Sequence, residues 1–261
     1  MTVRTSPSAP GVPSTTSPTA PVRPTPARML ALIATGAGGA AAVAISLAGV
    51  LDPGYSGLSE AISALASQES AAAPVMIVGF VAMAVMLLTS GTVLFMSLPG
   101  KGAKVGAVLV LLSGLMTVVV GLARQSCSSL QADCMARESA GMVSPSHWIH
   151  NLVSVPLFAF LVVAGFLWTT GLGRSTGSKR LARSSLVVAI AAAALFVWFG
   201  SGVYGTFGGL VERLLVWLAF GWPVYLSVRV THSVPFGRLT GTRSSGPSTA
   251  LGSGRPVVAE S

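Results

Sequence analysis

The chain has 261 residues, of which 52% are hydrophobic and 9% charged, with 16 Lys and Arg against 7 Asp and Glu. A soluble domain carries about 25% charged residues, so this chain lacks the charge to coat a water-facing surface, and much of its surface must face lipid. The basic excess does not indicate a nucleic-acid partner, because the basic residues are scattered between apolar runs and no soluble basic segment exists to carry a groove.

Residues 1–28 hold seven prolines among Ser, Thr and Ala. Such a segment cannot bury a core and is expected to be a disordered cytoplasmic tail. Six apolar stretches follow, at 29–51, 73–98, 105–123, 147–172, 185–204 and 210–230. A helix needs about 20 apolar residues to span a bilayer, and a helix satisfies its own backbone hydrogen bonds there. The expected fold class is therefore all-α, a polytopic bundle of six transmembrane helices spanning 29–235. The first stretch is longer than the roughly 7–15 apolar residues of a signal-peptide core, so it is read as a retained span despite Ser46-Leu47-Ala48. Pro74 suits a helix start, and Pro156 and Pro223 should kink spans four and six. Gly36, Ala40 and Ala44 form a small-residue stripe in span one, and Gly200 and Gly202 offer the same in span five. Residues 236–261, rich in Gly, Ser and Thr, are read the same way, as a disordered cytoplasmic tail.

Orientation follows Lys and Arg in the short loops. With alternating spans, thirteen of these residues fall on the side of the two tails and three on the other. Both termini are therefore expected in the cytoplasm. Six of the seven acids (Asp52, Glu60, Glu69, Asp133, Glu138 and Glu212) then fall outside. Arg outnumbers Lys 13 to 3, and Ala and Gly abound, as in proteins from GC-rich bacterial genomes. The expected location is thus the bacterial cell membrane. Cys127 and Cys134 share the outer loop between spans three and four, where an oxidising compartment permits a disulfide. Free thiols or two metal ligands are the alternatives, although C-x6-C is not the usual zinc spacing.

The stretch "DPGYSGLSEAISALAS" follows span one with acids and hydroxyls but no Lys or Arg. Asp52-Pro53-Gly54 is turn chemistry. Leu58, Ile62 and Leu65 then mark one face of a short helix, with Ser59, Ser63 and Ser67 on another, which predicts an amphipathic helix lying in the outer interface. Span four opens with "SPSHWIHN", where Ser144 can cap and Pro145 takes the first turn. His147, His150 and Asn151 share one helix face there. Span six opens with Glu212 and Arg213, ionisable groups close to hydrocarbon that are expected to pair or to serve a function. If spans one, four and six meet, Ser59, Glu60, His150, Glu212 and Arg213 form one cluster, with Asp52, Arg124 and His147 as further candidates.

"PGYSGLSEAISAL" after span one, "HWIHNLVSVPLFAFL" opening span four and "GLVERLLVWLAFGWPVYLSVRV" as the last span resemble the bacterial membrane family catalogued as domain of unknown function 998. The resemblance covers about 30–230 and implies a six-helix membrane protein without a settled activity. The residues matching the family pattern are Tyr55, Ser59, Glu60, His150 and Arg213. The Cys-containing loop and both tails look like additions to that pattern.

Three functions fit these residues. In the first, a non-enzymatic membrane protein, the outer cluster (Tyr55, Glu60, Arg124, Asn151, Glu212 and Arg213) locks helices together or binds a lipid headgroup or envelope component. In the second, an interfacial enzyme acts on a lipid or envelope precursor. There His147, His150 and Asp52 or Glu60 would hold a divalent metal that activates water. Alternatively, His150 would be base to Ser59, with Arg213 stabilising an anion. The third is a small-molecule transporter, although spans one, two, three and five carry no charged residue or His at the depth where carriers bind.

Overall fold

The computed structural model describes residues 25–175 and 179–233. Both expected tails lie outside the described residues, apart from 25–28. The hydroxyl of Thr25 accepts the Arg28 N–H, and Pro26 takes the first turn of α1 (Pro26–Leu51), which so begins three residues earlier than its apolar run. The remaining helices are α2 (Ala73–Ser97), α3 (Lys101–Leu122), the short α4 (Ala132–Ser139), α5 (Pro145–Ser175), α6 (Lys179–Gly200) and α7 (Gly208–Ser233). All but α4 are long and apolar enough to cross a membrane, making six candidate spans in an all-α bundle.

Charge ends an apolar stretch without ending a helix. Accordingly α3 starts at Lys101 and α6 at Lys179, each several residues before its hydrophobic run. Lys104 shows how the extra turn is tolerated: its ammonium donates to the Phe95 carbonyl and lies 4.4 Å from the centroid of the Phe95 ring. Helices α5 and α7 continue through Pro156 and Pro223.

The helices close into a ring. α1 packs on α2, α2 on α3, α3 on α5, α5 on α6 and α6 on α7, and α7 returns to α1 and α2. Leu65, Met76, Leu87, Leu94, Trp168, Leu215 and Leu226 fill the interior, whereas Leu122, Leu152 and Val187 point outward, as lipid contact requires. Close approach depends on glycines of α3. A Cβ at Gly106 would lie 2.8 Å from the Trp168 indole nitrogen, and one at Gly121 would lie 2.8 Å from Phe80 Cβ. The small residues singled out in α1 contribute less: Ala44 packs opposite Gly79, but nothing lies within 4 Å of a Cβ added at Gly36 or Gly200. Two buried hydroxyls are satisfied within their own helices, Ser90 by Met86 O and Thr117 by Ser113 O. Ser185 links three helices instead: it accepts from Trp222 Nε1 (3.0 Å) and donates to Gly165 O (3.2 Å).

Spans consecutive in the chain run antiparallel, so the bundle has two chemically distinct ends. Trp168 near the end of α5 donates to Ala103 at the start of α3, and Arg213 at the start of α7 reaches the loop that follows α1. One end collects the α1–α2 loop, α4 and the starts of α5 and α7, with all six described acids. The opposite end collects Lys101, Lys104, Lys179, Arg180 and Arg183.

The loop after α1 differs from the expected surface helix. Its helical part is a single 3-10 turn, Ile62–Ala66, with Ile62 and Leu65 buried and Leu58 47% exposed. The turn packs against α1, α2 and α7, so its apolar side chains bury in protein rather than in the lipid interface. Bulk hydrophobicity is indifferent to which of these apolar environments is available.

Candidate functional site

The polar end contains two networks. The first ties the loop after α1 to the start of α7. Gly209 lies so close to Glu60 that an added Cβ would stand 2.2 Å from the Glu60 carbonyl oxygen, and Leu210 N–H donates to Leu58 O (3.0 Å). That approach brings the Arg213 guanidinium onto Glu60 O (2.9 Å), Gly209 O (3.0 Å) and the Tyr55 hydroxyl. The phenol in turn donates to Ala61 O at 3.0 Å. Burial pushes the Tyr55 phenol up to about 12, against the nearby Arg213 charge, so it remains the neutral donor this geometry needs. The Glu212 carboxylate, buried, accepts the Ile62 N–H, and Glu60 Oε1 accepts the Ser56 N–H at 3.2 Å.

Arg213 and Glu212 are ionisable groups for which the sequence leads one to expect a charged partner, and Glu60 is the other acid in the expected cluster. Among the described residues neither carboxylate forms an ion pair with Arg213; the guanidinium binds backbone carbonyls instead. Both acids accept backbone N–H groups of the same loop, Glu60 that of Ser56 and Glu212 that of Ile62. Ser59 lies half-buried beside this network, its N–H bonded to Ser56 O.

The second network joins the end of α3, α4 and the start of α5. His147 Nδ1 accepts the Ser126 N–H (3.1 Å), which leaves the proton on Nε2, facing Glu138 Oε1 (3.2 Å) and Ser129 Oγ (3.4 Å). Asn151, the only asparagine in the chain, donates to Glu138 Oε1 (3.1 Å) and accepts from Gln125 Nε2 (2.8 Å). Ser144, expected to cap α5, instead meets the Ser126 and Ser146 hydroxyls at 2.9 Å. The Cys127–Cys134 disulfide closes this corner, with both sulfurs buried. Replacing both cysteines by serine is expected to lower stability by about 2–3 kcal/mol, since the loop is short. A melt of the variant should match that of wild type in strong reductant, and a wild type insensitive to reductant would contradict the prediction.

His150 belongs to neither network. Its Nδ1 lies 2.9 Å from both Val120 O and Ala123 O, so it carries a proton shared between two acceptors, and Phe80 meets the ring edge-on. The expected single cluster of His150 with Arg213 is thus divided: His150 turns to the end of α3, whereas Arg213 turns to the loop after α1. Arg124 bridges the two halves by donating to the carbonyls of Ala66 and Ser67.

Metal chemistry was expected from His147, His150 and Asp52. These three do not form a group within reach of one ion among the described residues. Asp52 accepts from Ser70 Oγ, and each histidine turns to a different partner. The donors that do converge are Cys127, Cys134 and His147, within 4.8 Å of one another. Their two sulfurs are bonded together and both His147 nitrogens are engaged, so they offer an ion little. Gln125, Ser126 and Gly209 escaped the sequence reading, which places Glu138 at the outer face without a role. Only the scarcity of long polar side chains in this apolar chain marks Gln125 and Glu138.

Six apolar helices with ionisable groups confined to their ends define a multi-span membrane protein. The chain belongs to the family described as "Protein of unknown function (DUF998)", which it matches over residues 35–229. No curated protein and no solved structure is detectably similar.

Proposed function

We propose that this chain is a non-enzymatic protein of the bacterial cell membrane, with both termini in the cytoplasm, whose outer polar end is a braced platform that binds a lipid headgroup or another envelope component. One observation carries this reading: the groups best suited to chemistry are spent on the fold itself. Arg213 holds backbone carbonyls, His147 uses both ring nitrogens, and His150 donates its proton to α3. What the polar end presents to a partner is its rim of Gln68, Glu69, Asp133 and Arg137, with Arg137 bidentate on Glu69. The outward orientation is supported by the Lys and Arg bias and by a disulfide at that end, which suits an oxidising compartment. The transporter reading finds less support, since the buried hydroxyls Ser90 and Thr117 are bonded within their own helices.

The test is a melt of the purified full chain in neutral detergent, with and without total lipid extract from a bacterial envelope. Wild type should rise by several degrees, and a Glu69→Ala/Arg137→Ala double variant should lose most of that rise. No rise, or an equal rise in both, overturns the binding reading. Reporter fusions at the two termini check the orientation, and a signal from opposite sides would defeat it.

A further inference from the structure

At the basic end, α6 carries a face that the bundle leaves uncovered. Arg180, Arg183, Ser184, Val187 and Val188 recur at the i, i+3, i+4, i+7, i+8 spacing of one helix stripe, and together they line a hollow of about 380 Å³. Its size is within the roughly 300–1,000 Å³ of small-molecule sites. The packing stripe of the same helix is a different one, with Leu181, Ser185, Ala189 and Ala192 buried. Arg180, Arg183 and Val187 are exposed, and Ser184 and Val188 half-buried.

The order of chemistry along this stripe is specific. Two guanidiniums come first, then a hydroxyl, then two valines running into the apolar body of the helix, where Leu186 and Ile190 are also exposed. A guanidinium matches a phosphate oxygen pair with two parallel hydrogen bonds. Among the described residues no acid competes for these arginines, because all six Asp and Glu there lie at the other end. Free phosphate would satisfy the arginines but leave the valines unused. An acidic phospholipid uses both, with its phosphodiester on Arg180 and Arg183, its glycerol oxygens near Ser184 and its acyl chain along Val187. The bias of basic residues toward the cytoplasm accounts for positive charge at this end. It does not account for two arginines sharing one stripe with a hollow and an apolar floor.

We propose that the α6 stripe Arg180–Arg183–Ser184–Val187–Val188 is a binding site for one acidic phospholipid.

The experiment uses the purified full chain in neutral detergent. Phosphatidylglycerol is titrated and followed by native mass spectrometry and by the melting temperature, with phosphatidylcholine and glycerol phosphate as separate arms. Phosphatidylglycerol should bind saturably and raise the melt, and the other two should do neither. Arg180→Ala/Arg183→Ala should weaken the affinity by about tenfold or more, as losing two interfacial basic contacts implies. Arg180→Lys/Arg183→Lys keeps the charge without the fork and should fall between. Lys101→Ala, which removes a charge from the same bundle end, should bind as wild type. Equal binding of phosphatidylcholine, a response to glycerol phosphate alone, or a loss in Lys101→Ala equal to that of the double variant would each overturn the site. If the alanine variant fails to fold, undiminished binding by the lysine variant overturns it as well.

Discussion

Arg213→Ala is expected to destabilise the protein by about 3 kcal/mol, the scale of hydrogen bonds made by a charged donor in a partly buried place. The side chain bonds two backbone carbonyls and the Tyr55 hydroxyl, and through them joins the start of α7 to the loop after α1. Alanine leaves those oxygens without their strongest donor and opens a gap beside Gly57, where an added Cβ would now lie 3.2 Å from the guanidinium. Lysine keeps the charge but not the planar fork, so Arg213→Lys should recover only part of the loss. Arg243→Ala, in the C-terminal tail, should leave the melting temperature unchanged. Equal melts for the Arg213 and Arg243 variants in detergent would show that the guanidinium braces nothing.

Gly209→Ala should be at least as damaging, for a different reason. The added methyl would stand 2.2 Å from Glu60 O and 2.7 Å from Glu60 N, and its three nearest neighbours are all Glu60 backbone atoms rather than the end of a flexible side chain. The start of α7 must then retreat from the loop, which loosens the Leu210–Leu58 bond and the bonds that Ile62 N–H and Glu60 O make to α7. Overpacking costs about 1–3 kcal/mol, and more where the neighbours cannot yield, so a loss of about 3 kcal/mol or more is expected. Gly221→Ala in the same helix is the control, because nothing lies within 4 Å of its added Cβ. It should be neutral or stabilise by up to about 1 kcal/mol, since alanine is the better helix former. A thermal melt of both variants decides. If the two glycines respond alike, the close approach at Glu60 does not govern stability.

The two variants also mark where sequence reading reached and where it stopped. The six helices were legible because lipid imposes a length and an apolar composition on each span separately, a condition written in consecutive residues. The matching of Tyr55, Glu60 and Arg213 to one family pattern pointed to residues that the fold does bring together. The partners were not legible. Arg213 took carbonyls rather than the carboxylates of Glu60 and Glu212, and Gly209, which makes this possible, resembles any other glycine of the 30 in the chain. Likewise, the spacing of His147, His150 and Asn151 put them on one helix face but could not say that His150 turns to α3 while His147 and Asn151 meet Glu138.

What the sequence determined alone is therefore the membrane-spanning class and the segregation of charge, because burial in hydrocarbon penalises every misplaced ion residue by residue. Only the tertiary structure decided which polar groups meet. At the helix ends many donors and acceptors compete over similar energies, and the choice among them depends on how closely α7 approaches the loop after α1 and how α5 rotates against α3. Those distances are set by packing across the whole bundle, and no local stretch of residues encodes them.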